Sequence, residues 1–140
     1  MGDRCWVDVS VSNTDLEKFL KVVGEEPEEE VESGHVTHLV FANANYGMGM
    51  SLDAAAAANI EFFGQHTKGD SYGASEFYSL GKAGVEYIPT GDDNYGVLVG
   101  GSTPGERWAR LRELETKIAE RNDLIRRMNN PLYDLTKEAS

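Results

Sequence analysis

The reading of the fold turns on the middle of the chain. It runs Asn43-Ala44-Asn45-Tyr46-Gly47-Met48-Gly49-Met50-Ser51-Leu52-Asp53, then five alanines (Ala54 to Ala58), then Asn59-Ile60-Glu61-Phe62-Phe63-Gly64-Gln65-His66-Thr67-Lys68-Gly69-Asp70-Ser71-Tyr72-Gly73. A strand-like run, Val36 to Ala42, enters this stretch. Gly47-Met48-Gly49 makes a tight turn into a short helix, with Ser51 as the expected N-cap and Asp53 favouring its positive end. The alanines have no bulk, so this helix can approach a sheet closely. Ile60 to Phe63 resumes strand, and Gly64 to Gly73 reads as a loop. The glycine pair does not make a phosphate loop: no third fingerprint glycine and no Lys-Ser/Thr pair follow it.

Upstream, Cys5-Trp6-Val7-Asp8-Val9-Ser10-Val11 alternates strictly, as a half-buried strand does. Trp6 falls on the polar side and is expected to be covered by a helix. Thr14 and Glu17 have capping-box spacing, and Leu16, Phe19, Leu20 and Val23 form one apolar stripe ending at Gly24. Downstream, Phe77 to Leu80 and Val85 to Ile88 form a hairpin, with Tyr95 to Val99 expected as the third strand of a meander. Thr103, Pro104 and Glu106 open a long helix. Its apolar seam is expected at Leu111, Leu114, Ile118, Ile125 and Met128, with Arg121 in the vacant slot and Trp108 one step earlier.

These elements predict one α+β domain over 1–140: an antiparallel or mixed sheet of about five strands, two short helices and one long C-terminal helix. The body spans 5–101, with an acidic loop at 25–33, and the amphipathic helix spans 103–129. No apolar run approaches the ~20 residues of a membrane span. The N-terminus has no basic region followed by an apolar segment, and Cys5 has no partner cysteine. The expected setting is therefore a reducing cytoplasm.

The net charge of −11 is unevenly distributed. Residues 1–105 hold five Lys or Arg against seventeen Asp or Glu; residues 106–140 hold eight against seven. Such a body repels nucleic-acid phosphates, so direct DNA or RNA binding is disfavoured and a basic partner surface is favoured. Acidity also simply keeps proteins in solution. The densest acid lies at Glu25, Glu26, Glu28, Glu29, Glu30 and Glu32, where repulsion and Pro27 predict a mobile loop or a frayed helix start. Asp70, Asp92 and Asp93 add charge on turns. Together these nine carboxylates are the candidate partner-binding set. A cation site is a further reading of the 25–32 run, disfavoured because the Asp/Gly spacing of a calcium loop is absent.

A second candidate is a small-ligand pocket built from Asn45, Tyr46, His66, Lys68 and Tyr72. A His beside a carboxylate can do acid–base work, but no nucleophile pattern accompanies it, and no catalytic residue, metal or cofactor is assigned. His35 and His38 fall on opposite strand faces and do not make a metal pair. Arg107, Arg110, Arg112, Arg126 and Arg127 are expected to balance the long helix's own acids.

The spacing Asn45-Tyr46-Gly47…Phe63-Gly64…Gly69…Tyr72-Gly73…Phe77 resembles small acidic proteins carried by phages and prophages, some of them anti-CRISPR-type inhibitors of host defence. The resemblance covers roughly residues 36–100 and carries over no catalytic residues. It implies a stoichiometric inhibitor, acting in the host cytoplasm, that blocks the nucleic-acid site of a host protein. Two other readings stand beside it: a small-molecule or nucleotide-binding protein or enzyme using the 45–73 loops, and a structural protein that dimerises through residues 108–128.

Overall fold

The computed structural model describes residues 4–45, 48–69, 72–81, 84–91 and 96–133. In chain order the elements are β1 (Arg4–Ser12), α1 (Leu16–Val23), β2 (Glu29–Ser33), β3 (Val36–Asn45), α2 (Gly49–Ala57), β4 (Glu61–His66), β5 (Ser75–Leu80), β6 (Val85–Pro89) and α3 (Pro104–Met128). The six strands form one sheet in the order β2-β3-β1-β4-β5-β6, and every pairing is antiparallel. The fold is α+β, with one strand more than expected.

The alternation in β1 decides the layers. Cys5, Val7, Val9 and Val11 are all buried on one face with Leu39, Phe41, Phe62 and Phe77. Helices α1 and α2 cover that face. Phe19 of α1 meets Phe62 edge-on at 5.8 Å, and Phe62 meets Phe77 likewise at 6.2 Å. Ala55 and Ala56 are buried in α2, which lies close to α1 because these side chains have no bulk. On the opposite face α3 crosses β4, β5 and β6, sealing Tyr78 and Ile88 under Leu114, Leu124 and Met128.

Gly64 belongs to β4 rather than to a loop. A Cβ at this position would collide with the Asp8 carbonyl of β1 and the Phe77 ring, so only glycine lets β4 pair here. His66 therefore closes a strand.

The 25–33 segment is also not simply a loop. Glu29 to Ser33 pairs with β3 and turns into it through Gly34, whose φ of 63° suits glycine. Pairing with Val36 to Val40 outweighs the repulsion among the carboxylates because β2 is an edge strand whose side chains all stay in water.

Two helix starts differ from expectation, and the third agrees with it. Asp15, not Thr14, caps α1, and no side chain closes the cap; the Thr14 hydroxyl instead lies 2.9 Å from that of Ser12. Met48, with φ at 62°, precedes α2, so Ser51 sits within the helix. Thr103 and Glu106 do form both bonds of the capping box of α3.

Residues 96–100 form no strand. Leu98 makes one backbone bond to Pro89, 2.8 Å long, and the segment then straps across to α3. Trp6 is 55% exposed because α3 packs on β4 to β6 rather than on β1. Trp108 is 63% exposed, since α3 meets the sheet only from about Leu111 onward. Leu124 joins the buried seam alongside half-buried Ile125. A single straight helix on a sheet follows a period of 3.6, not the coiled-coil 3.5. Arg121 is placed by its own contacts, with its guanidinium over the Phe63 ring at 5.9 Å and 3.6 Å from Glu76. Among the described residues no helix is long and apolar enough to cross a membrane.

Candidate functional site: an acidic edge strand and an aromatic hollow

The structure separates the two sets of candidate residues. At one edge of the sheet, Glu25, Glu26, Glu28, Glu29, Glu30 and Glu32 are all exposed. Strand geometry orders the last of them. Glu30 and Glu32 pair with Leu39 and Thr37 and so share the α1 side of the sheet, about 7 Å apart. Glu29 pairs with Val40 and points to the other side.

Asn13 fixes the end of this row. Its Nδ2 donates to Glu32 Oε1 at 3.0 Å and to the Gly34 carbonyl at 2.9 Å, while its Oδ1 accepts from the buried Thr37 hydroxyl at 2.6 Å. A groove of about 420 Å³ runs between Glu30, Glu32, Asn13, Thr37 and Leu16. No lysine or arginine among the described residues pairs with any of the six carboxylates. Asp70, Asp92 and Asp93 lie outside the described residues.

The carboxylates under α3 are arranged differently. Glu61 on β4, Glu76 on β5 and Glu86 on β6 face Arg127 at 2.9 Å, Arg121 at 3.6 Å and Lys117 at 3.3 Å. Arg127 also meets Asp123, as does Arg126, and Arg110 meets Glu113 at 2.9 Å. Of the five arginines expected to balance the helix's own acids, Arg110, Arg126 and Arg127 do so, whereas Arg107 reaches the Gly101 carbonyl; Lys117, Arg121 and Arg127 also hold the helix to the sheet. The Tyr133 hydroxyl donates to Glu61 at 2.5 Å; burial, and then that bond, push its pKa up.

Of the proposed pocket residues, His66 and Tyr72 come together, with ring centroids 5.5 Å apart. Lys68 is exposed on the following turn and does not line the hollow that these two share. Asn45 ends β3, but its side chain, like Tyr46, lies outside the described residues. Tyr87, Pro89 and Leu98 complete the walls and were not foreseen. Tyr87 and Pro89 alternate with Ile88 along β6, and that period-two spacing was the available signal.

The hollow holds about 400 Å³, within the range of small-ligand sites. His66 is only 7% exposed. Its Nδ1 lies 2.8 Å from the Thr67 carbonyl, which can only accept, so Nδ1 carries the proton. Burial, and secondly the negative charge of Asp53, raise the Tyr87 pKa. Cys5 is buried in the core. Among the described residues no three His, Cys, Asp or Glu side chains converge as a metal site would require. No family model, no curated protein and no solved structure matches this chain.

Proposed function

We propose that this chain is a non-enzymatic acidic binding protein of the anti-defence kind that phages carry. It docks through β2 and the preceding acidic residues on a basic, nucleic-acid-binding surface of a host complex and blocks it. The observation that carries this reading is the contrast in charge pairing. Glu61, Glu76 and Glu86 each have a cation from α3, whereas the six carboxylates at 25–32 have none among the described residues. Surface charges left unpaired in a folded chain are free to meet charges on another molecule. Their attraction extends over about 10 Å at 0.1 M salt, speeds association and weakens as salt rises.

The test compares the natural chain with a Glu28→Lys, Glu29→Lys, Glu30→Lys variant in capture experiments with CRISPR and restriction complexes. The expected result is capture at low salt, release at high salt, competition by the complex's own nucleic acid, and loss of capture by the variant. Capture and inhibition unchanged in the variant would rule out the acidic-strand mechanism.

Exposure of Trp108 on the overhanging start of α3 favours a second reading, self-association through residues 108–128. Light scattering at high protein concentration checks it; a monomer there removes it.

A further inference from the structure

The hollow between the ends of β4 and β6 is held open by backbone. Thr67 N–H bonds the Trp6 carbonyl at 3.0 Å, Thr90 N–H bonds the Ala74 carbonyl at 3.1 Å, and Leu98 N–H bonds the Pro89 carbonyl at 2.8 Å. Its walls are thus set by the sheet and its flanking turns before any ligand arrives. Tyr72 and Tyr87 stand across the plane of the His66 ring, at 79° and 64°. Pro89 and Leu98 add apolar surface.

At the floor, His66 has spent Nδ1 on the Thr67 carbonyl. In the neutral ring Nε2 is then an acceptor. It has no partner among the described residues, although the ring is more than nine-tenths buried.

Three features select the ligand. A bare acceptor at the floor calls for a donor. The described lining contains no lysine or arginine, and the chain carries −11, so phosphates and carboxylates are disfavoured. Aromatic faces beside an apolar flank suit a flat cation on an alkyl stem, which stacks on tyrosine and donates N–H bonds.

We propose that this hollow binds a guanidinium group, with one N–H donated to His66 Nε2, the plane against Tyr72 or Tyr87, and the stem along Pro89 and Leu98. The group comes either from a small guanidine or from an arginine side chain of a polypeptide. This site is independent of the acidic strand: β2 lies at the far end of the strand order from β5 and β6, so either assignment can fail without the other.

The test is an NMR titration of the natural chain, reading the ring signals of His66, Tyr72 and Tyr87. The probes are agmatine, the tripeptide Gly-Arg-Gly and its neutral citrulline counterpart. Saturable shifts of all three rings with agmatine, at a Kd below about 1 mM, and none with citrulline, support a small-guanidine site. Saturation by the tripeptide alone supports an arginine presented by a polypeptide. Absence of saturable shifts with both cationic probes, or equal shifts with citrulline, overturns the proposal. His66→Phe, which keeps a ring and removes the acceptor, is expected to weaken binding at least tenfold. Leu98→Trp fills the hollow from an exposed position and is expected to abolish binding; it tests the same point if the His66 variant does not fold. Undiminished binding in Leu98→Trp overturns the location.

Discussion

The two halves of this sheet carry the same residue type to opposite ends. On β4, β5 and β6, glutamates face a helix that supplies a cation to each; on β2, glutamates face water and meet no cation among the described residues. In the first half the charge is structural. Glu61 is the clearest case: its side chain is 14% exposed, and it accepts from both Arg127 and Tyr133. In the second half only Glu32 is tied to the body, through Asn13, and the charge otherwise adds repulsion. A carboxylate's sequence context does not distinguish these cases; the presence of α3 above it does.

That contrast can be broken by mutation. The largest effect is expected for Glu61→Ala, which takes the Glu61 acceptor from the Tyr133 hydroxyl and leaves Arg127 with only Asp123. Loss of one partner from a buried pair costs about 3–5 kcal/mol, and the partial exposure of Arg127 places the expectation near the lower end, roughly 3 kcal/mol. Urea unfolding reads it. A loss comparable to that of an ordinary surface change would mean that Glu61 does not anchor the helix.

Tyr78 gives the next effect, and it depends on pH. Its hydroxyl is buried beneath α3 without a partner among the described residues, and burial, followed by the charges of Glu120 and Glu86, pushes its pKa up to about 12. The folded state therefore holds this proton more tightly than the unfolded state. The contribution is fully present below pH 10 and is lost as pH rises from about 10 through about 12. Tyr78→Phe is expected to remove on the order of 2 kcal/mol of that alkaline loss. At neutral pH it should be neutral or slightly stabilising, because an unpartnered buried hydroxyl disappears. Chemical unfolding of both chains across pH 9–12 checks both points.

Thr103→Ala opens the capping box that starts α3 and is expected to cost about 1 kcal/mol. Because residues 104–109 are all exposed, the loss should appear as fraying of the first turns in hydrogen exchange, with the Glu61 anchor unaffected. The smallest effect is expected on β2. Glu29→Gln, Glu30→Gln and Glu32→Gln should each change stability by no more than about 0.5 kcal/mol. If any of them costs as much as Glu61→Ala, the distinction between the two halves fails.

Much of this architecture was legible in the sequence because burial is periodic. The alternation of β1, the stripe of α1, the β5–β6 hairpin and the Thr103–Glu106 box all occur as read. The misreadings share a cause: local propensity was overruled by a neighbour. Repulsion at 25–32 argued against regular structure, and β3 supplied the pairing. Gly64 suggested a loop, and the closeness of β1 explains the glycine instead. Tyr95 to Val99 had strand composition, but residues 96–99 lie outside the sheet, with Leu98 held to Pro89 by a single bond. Of the pocket, His66 and Tyr72 were identified from their shared segment, whereas Tyr87, Pro89 and Leu98 reach it only through folding.

The sequence by itself determined composition, charge asymmetry and the faces of most elements, since these depend on residue type and on periods of 2.0 and 3.6. Only the tertiary structure decided which glutamates are paired, that Trp6 and Trp108 are exposed, and that His66 lies at the floor of an aromatic hollow. Those outcomes depend on where α3 crosses the sheet and which strands flank β4, and a crossing brings together residues tens of positions apart that no local pattern relates.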